Sequence, residues 1–470
     1  MTGDSAILTI AAIGVPWIGA IGALLSRRHA RTIGFFSSLA AAAASALLLR
    51  SAVHGEWLNE SLMLLYSCLT AGATVVLPKR DVQPGTIAGI LFLLGATLLA
   101  YSSESLPVLL AGWVLSTLPF LTGRWFGAPS WRPRFGLLVS SVALAAAIGL
   151  IAANRQPQTI AALRGASPGG MPVFALLVCA VMFRKGVVPA HVWVADAAEG
   201  GPLIPTALLL NGHLGAMLVA KVIGPLFPHI TRDLFPVLSY LALATALYAA
   251  IRGLAENSPR RLLAVVALSQ SACILAGLES RTAEGITGAL VHWLVVTTST
   301  MGLFGILRLL EVRFGENLTA SQHLGLAEHA PRLAVFFIVF GLALVGLPGT
   351  LSFCSQDLLI HGTLASHPLT GLLLPIAIAM NAVSIFRLFA RLFLGKRRTG
   401  FTVSADALPR ERWILTAGVL FVVLGGLFPQ TIVVLRSAEA NVVKDALSAR
   451  ALPPAGRPEM RRSADWLDRK

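Results

Sequence analysis

The stretch from Phe183 to Pro228, FRKGVVPAHVWVADAAEGGPLIPTALLLNGHLGAMLVAKVIGPLFP, decides how this chain must fold. Its second half is an apolar run of helix length, 203–227, that carries His213 and Lys221. Its first half starts at the end of another apolar run, 172–188, and meets Arg184, Lys185, Pro189, His191, Asp196 and Glu199 in close succession. Charges clustered beside a proline at the end of an apolar helix point to a helix broken inside a bilayer, with freed backbone groups facing a polar path. The plainer reading is a proline kink in packed helices.

The rest of the chain supplies that bilayer setting. Its 470 residues are 56% hydrophobic and 13% charged, with a mean hydropathy of +0.76, which excludes a soluble globular domain of this size. A crossing needs roughly 20 apolar residues, and the sequence predicts about fourteen of them. They fall at 6–25, 33–53, 60–77, 86–101, 105–122, 135–153, 172–188, 203–227, 234–253, 261–279, 284–310, 333–361, 370–394 and 412–434. The longest polar stretches, 154–171 and 311–332, are too short to bury a core of their own. The first span lacks the basic leader and small-residue cleavage site of a signal peptide, so it is read as a helix.

The +15 net charge, 37 Lys and Arg against 22 Asp and Glu, implies no nucleic acid, because most of it lies in alternate loops. Arg27, Arg28, Arg31, Lys79, Arg80, Arg124, Arg132, Arg134, Arg252, Arg260, Arg261, Lys396, Arg397 and Arg398 are expected on the cytoplasmic face, with both termini outside. The basic tail (Arg457, Arg461, Arg462, Arg469, Lys470) conflicts with that count, and one re-entrant span would repair it. Cys68, Cys179, Cys273 and Cys354 each stand alone in an apolar run and are expected to be inert core residues.

A second interruption, Gly346-Leu347-Pro348-Gly349, lies in the twelfth span, five spans after the first, and suggests an internal repeat. A charge at bilayer depth costs about 2.5–3.5 kcal/mol, so each needs a cavity, a partner or a task. Beyond the residues already quoted, His292, Gln356, Asp357, Asn381 and Arg387 stand within spans. His213, flanked by apolar residues, suits a proton relay as well as it suits a histidine bonded to a neighbouring helix carbonyl. His292, nearer the start of its span, leans to the structural role, and Lys221 suits a relay or a side chain snorkelling to the interface. Arg184 and Lys185, with Asp196 and Glu199 just beyond the break, read as a charge network with His191. No nucleotide loop, zinc helix, nucleophile elbow or iron–sulfur spacing is present, so no metal or cofactor is expected and the chain has no catalytic motif of its own. Redox centres, if the assembly uses them, belong to partners.

The opening stretch resembles the most distinctive segment of the proton-conducting membrane transporter family. That family includes antiporter-like subunits of complex I, of membrane-bound hydrogenases and of multisubunit cation/proton antiporters. Pro189, His191, Trp193, Asp196, Ala197, Glu199, Gly200, Pro202 and Ala207 fall into its pattern. SPRRLLAVVALSQ (258–270), GLPGTLSFCSQDLLIHG (346–362) and GLFPQ (426–430) are similar to further family segments in the same order. The resemblance implies an all-α polytopic membrane protein of about 14 helices, with two inverted five-helix repeats containing broken helices. The expected organisation is N-terminal helices over 1–85, a first repeat over 86–230, a second over 231–395, and a C-terminal helix and basic tail over 396–470. It also implies a multi-pass subunit of the cell inner membrane, partnered by other membrane subunits, that moves protons or monovalent cations in an NADH:quinone oxidoreductase-like or hydrogenase-like translocase.

The family's carrier positions are only partly kept. The glutamate after a tryptophan in the fifth span is Val114 here, and the lysine five residues before the seventh-span proline is Arg184. The eighth-span carrier falls on His213, with the segment anchored at Pro228. Of a three-carrier pattern in the eleventh span only His292 remains, with Val296 and Thr300 at the other places, and the twelfth-span lysine is Gln356, followed by Asp357. Valine cannot pair with a cation, arginine holds its proton too firmly to hand it on, and glutamine does not titrate. The expected path therefore runs through Arg184 as a fixed charge and through Lys185, His213, Lys221, His292, Gln356 and Asp357. Two alternatives stand beside it. One is a scaffold subunit that conducts nothing; the other is the membrane partner of a carbonic-anhydrase-like protein in inorganic-carbon uptake.

Overall fold

The computed structural model describes residues 3–51, 58–123, 125–126, 130–315, 318–396 and 406–448. Arg124, Arg397, Arg398 and the basic tail residues Arg457, Arg461, Arg462, Arg469 and Lys470, whose side was in question, lie outside the described residues.

The described elements are helical apart from one isolated bridge between Ser105 and Thr159. They begin with α1 (Gly3–Leu25), α2 (Ala30–Ser51), α3 (Leu58–Val76), α4 (Pro84–Ser102), α5 (Leu106–Thr122) and α6 (Trp131–Ala153). The quoted stretch forms the end of α7 (Gly170–Lys185), then α8 (Val192–Gly200), α9 (Leu203–Asn211), α10 (Leu214–Leu218), a π turn over Val219–Ile223 and α11 (Gly224–Leu226). The second half comprises α12 (Pro228–Ala255), α13 (Pro259–Glu279), α14 (Ala283–Phe314), α15 (Pro331–Leu344), α16 (Leu351–Ser366), α17 (Pro368–Phe393), α18 (Pro409–Leu427) and α19 (Gln430–Ser448). Among the described residues nine helices are long and apolar enough to cross a membrane, or ten if the bent pair α18–α19 is one span.

Proline opens α12, α13, α15, α17 and α18 in the first turn, where its missing N–H costs nothing and its fixed φ suits the helix. The centre is α13 and α14, whose apolar windows are wholly buried. Burial on all sides explains why these two helices have no polar stripe. Small residues let backbones approach closely in lipid. A Cβ on Gly288 would lie 2.4 Å from the Leu359 nitrogen, which brings α14 against α16.

The eighth span, read over 203–227, stands as one candidate crossing, Leu203–Leu226, and within it the helix is interrupted at Gly212–His213, because His213 adopts a left-handed backbone (φ +40°) and ends α9. Two sequence expectations are corrected. The last span, read over 412–434, ends at Leu427; α19 leaves it at 82°. Near its end, Gly426 lets α18 rest on the Thr350 backbone, 2.2 Å from where its Cβ would stand. Of the four cysteines, none bonded to another, only Cys273 is fully buried, and Cys68 is exposed.

The loop arginines gather at one face through their contacts. Arg31 donates to the Leu77 carbonyl. Arg132 and Arg261 both hold Asp196, each at 2.9 Å. Arg260 grips Glu311 at 2.6 and 2.7 Å, while Arg308 bridges Glu311 at 3.0 Å and Asp81 at 2.7 and 2.8 Å. Forked arginine–carboxylate pairs of this kind fix orientation as well as charge.

Candidate functional site

The two broken segments meet where α7 ends. Gly186 caps α7 in the left-handed region (φ +70°), and a Cβ there would come within 2.5 Å of Val194, so the chain turns sharply into α8. Lys185, in the last turn, then points past Gly215, whose Cβ would stand 2.5 Å from the lysine Cγ. Glycine at 215 thus leaves the passage through which the lysine stem reaches His213.

Lys185 Nζ lies 2.7 Å from His213 Nδ1, and Ser271 Oγ is 3.5 Å from the same nitrogen. Lys185 and His213 are 6% and 3% exposed, at the end of α7 and the start of α10. An ammonium has donors only, so Nδ1 must accept and the neutral ring carries its proton on Nε2. That Nε2 is buried without a hydrogen-bond partner among the described residues. Trp293 stands edge-on to the ring at 5.4 Å and fixes its plane. A cavity of about 20 Å³ opens among Arg184, Lys185, Asn211, His213 and Ser271, enough for one water.

Arg184, which lines the same cavity, reaches α5. It donates to Ser116 Oγ at 2.7 Å and lies over the Trp113 ring at 5.3 Å, close enough for a cation–π attraction. Val114 is not its partner; the contacts on α5 come from the residues on either side. Tyr66 and Tyr101 donate to the Leu208 and Gly212 carbonyls at 3.0 and 2.5 Å. They satisfy backbone oxygens around the α9–α10 break that lipid could not. Lys221 donates to the Tyr101 carbonyl at 2.7 Å.

A polar row continues through α13, α14 and α16. Thr300 donates to Asn211 Oδ1 at 2.8 Å. His292, fully buried, has Nε2 3.0 Å from the Gln270 amide oxygen and Nδ1 3.1 Å from Ser355 Oγ. Gln356 donates to Ser352 Oγ at 3.1 Å. Asn381 donates to Ser269 Oγ at 2.8 Å, and Arg387 to the Gly253 carbonyl at 3.0 Å.

Other residues singled out in the sequence lie elsewhere. Asp357 is exposed on α16 and faces His361 at 3.4 Å. Asp196 pairs with Arg132 and Arg261, and Glu199 accepts from Ser258 Oγ at 2.5 Å, so neither meets Arg184 or Lys185. His191 packs on Tyr248 with ring centroids 4.4 Å apart. Sequence reasoning passed over Tyr66, Tyr101, Ser116, Asn211, Gln270 and Ser271, which are uncharged and sit in apolar runs. The chain has only four tyrosines; two of them face the break, and that scarcity was the one available signal.

The description "NADH:quinone oxidoreductase/Mrp antiporter, TM" belongs to the family that matches residues 134–381. NADH-quinone oxidoreductase subunit N 3 of Streptomyces griseus is 28% identical over 277 residues, covering 57% of this chain and 49% of that protein. Subunit M of the Mycobacterium tuberculosis enzyme is 27% identical over 343 residues, 68% of this chain and 61% of that protein. The matched stretch thus spans about half the length of the Streptomyces relative and under two thirds of the mycobacterial one. Among solved structures, a chain of respiratory complex I from Thermus thermophilus superposes with a TM-score of 0.82 at 21% identity, over 94% of this chain and 100% of that one. A chain of the Mrp complex from Dietzia sp. DQ12-45-1b gives 0.81 at 19% identity, over 95% and 98%.

Proposed function

The chain belongs to the NADH:quinone oxidoreductase/Mrp antiporter family of membrane proteins, and we propose that it carries protons within a complex I-like or antiporter-like assembly of the cell inner membrane. The observation that carries this reading is the hydrogen bond from Lys185 to His213 at the junction of two broken segments. A buried nitrogen pair 2.7 Å apart lets a proton pass directly, and the adjoining water-sized cavity gives it somewhere to go. In this account Arg184 is a fixed charge that biases the site, Lys185 and His213 exchange the proton, and His292 with Gln270 and Ser355 continues the row towards Gln356. Lys221 serves the same row from the α4 side. Asp357, on the exposed side of α16, is left out of the path.

The proposed architecture is fourteen crossings with inverted five-helix repeats over 86–230 and 231–395, broken at Gly186–His191 and at Val345–Thr350. The α7–α8 and α15–α16 interruptions support it. Partner subunits would supply the driving chemistry or the counter-ion gradient.

A second reading, a scaffold that conducts nothing, is favoured by Val114, Val296, Thr300 and Gln356, which leave four family carrier places without a titratable group. Reconstituting the chain with its co-purifying partners in liposomes and following internal pH under an imposed membrane potential separates the two. Proton entry supports the transport reading; a tight, assembled and silent vesicle supports the scaffold.

A further inference from the structure

Glu279 is a buried acid that the row through Lys185, His213 and His292 does not use. It ends α13, is 4% exposed, and its Oε2 has no hydrogen-bond partner among the described residues. It lines a cavity of about 20 Å³ between α7, the π turn, α12 and α13, in which every other lining side chain is apolar. An ionised carboxylate in such a place would be expensive, so the group must hold a proton or have a role in taking one up. A hard cation gathers on the order of six oxygen ligands. This cavity offers one carboxyl, so its chemistry fits a proton and not a metal ion.

Its position links it to the site already described. Ser271, Leu275 and Glu279 follow one another at four-residue spacing on one face of α13, and Ser271 is in contact with His213. Glu279 is therefore about 12 Å along the helix axis from that contact. On α7, Val181 lines the Glu279 cavity one turn before Lys185. The two water-sized cavities thus follow the same α7–α13 seam, with Leu275 between Ser271 and Glu279. Glu279 closes the end of α13 away from Arg260 and Arg261, hence away from the arginine-rich face.

We propose that Glu279 is the proton-binding carboxyl that serves the face opposite Arg260 and Arg261, exchanging protons with the Lys185–His213 pair along the seam between α7 and α13. Leu275 is the dry step that must be bridged by transient water. Each transfer breaks an N–H or O–H bond on the donor and forms one on the acceptor, so no other reactant is needed. This inference rests on the transport reading above.

The test compares proton flux in liposomes carrying the co-purified assembly with wild-type chain, Glu279→Gln and Leu275→Phe. Glutamine keeps the volume and removes the proton site, so flux should fall about tenfold or more; phenylalanine fills the seam and leaves the acid, so it should slow flux as well. An infrared carboxyl band that shifts in D2O and vanishes in Glu279→Gln is the expected companion result. A wild type that conducts beside a Glu279→Gln variant at the same rate overturns the inference and leaves the transport reading standing. A silent wild type removes the transport reading and this inference with it. If Glu279→Gln does not assemble, Leu275→Phe decides, and an unchanged rate there counts against the seam.

Discussion

Lys185 Nζ stands 2.7 Å from His213 Nδ1, where the end of α7 meets the start of α10. Each residue reaches that point through a local backbone exception: Gly215 leaves room for the lysine stem, and His213 takes a left-handed conformation. The pair is thus a product of the two helix breaks.

If the two nitrogens act as a unit, removing either one removes the whole step. Lys185→Gln and His213→Ala should each reduce proton flux about tenfold or more, and the double variant should lose no more than either single one. Stopped-flow measurement of internal pH checks this, and losses that multiply would contradict a shared step.

Asp357 gives the opposite expectation. Its carboxylate is 62% exposed and faces His361 across one helical turn, so Asp357→Asn should leave flux within about twofold of wild type, as expected for a weak exposed pair. A loss as large as that of His213→Ala would bring Asp357 back into the path.

Gln356 fills the twelfth-span break in place of a lysine. Its amide donates to Ser352 Oγ and faces the Leu344 carbonyl at 3.4 Å. Both acceptors would serve an ammonium, so Gln356→Lys should give an assembled protein with wild-type yield and elution on size-exclusion chromatography.

Gly346 holds that break open. Its φ is +86°, and a Cβ would lie 2.1 Å from Gln356 Oε1. Gly346→Ala pays about 1–2 kcal/mol for the left-handed backbone and displaces the glutamine as well. A lowered melting temperature in detergent is expected, partly recovered by adding Gln356→Ala, which relieves the clash and not the backbone strain.

On the arginine-rich face, Glu311 is 2% exposed and joins Arg260 to Arg308. Arg260 also donates to the Glu199 and Gly201 carbonyls at 3.2 and 3.1 Å, which ties the end of α8 to α13. Glu311→Ala leaves Arg308 on Asp81 and Arg260 on backbone carbonyls alone, and the loss of this buried acceptor should cost about 1–3 kcal/mol, read as a lower melting temperature with Arg260→Ala no worse when added to it.

The sequence made the membrane setting and the interruptions near Pro189 and at Gly346–Gly349 legible because apolar run length and Pro–Gly interruptions are local signals; the break at Gly212–His213 carries no proline and was not foreseen. It singled out Lys185 and His213 for the same reason, since charge at bilayer depth is visible residue by residue. What it could not reach were partners brought together by packing. Arg184 meets Ser116 across 68 residues, and Thr300 meets Asn211 across 89. The network expected among Arg184, Lys185, Asp196 and Glu199 divides because the turn at Gly186 sends α8 towards Arg132 and Arg261. Glu279 was passed over because it ends an apolar run, where an acid reads as an interface residue.

The most direct test of the central claim is proton flux into liposomes carrying the partner-bound assembly, wild type against His213→Ala, under the same imposed potential. Flux in the wild type that is lost in the variant is the predicted result. Equal flux in the two would show that protons cross by a route that does not include the Lys185–His213 pair.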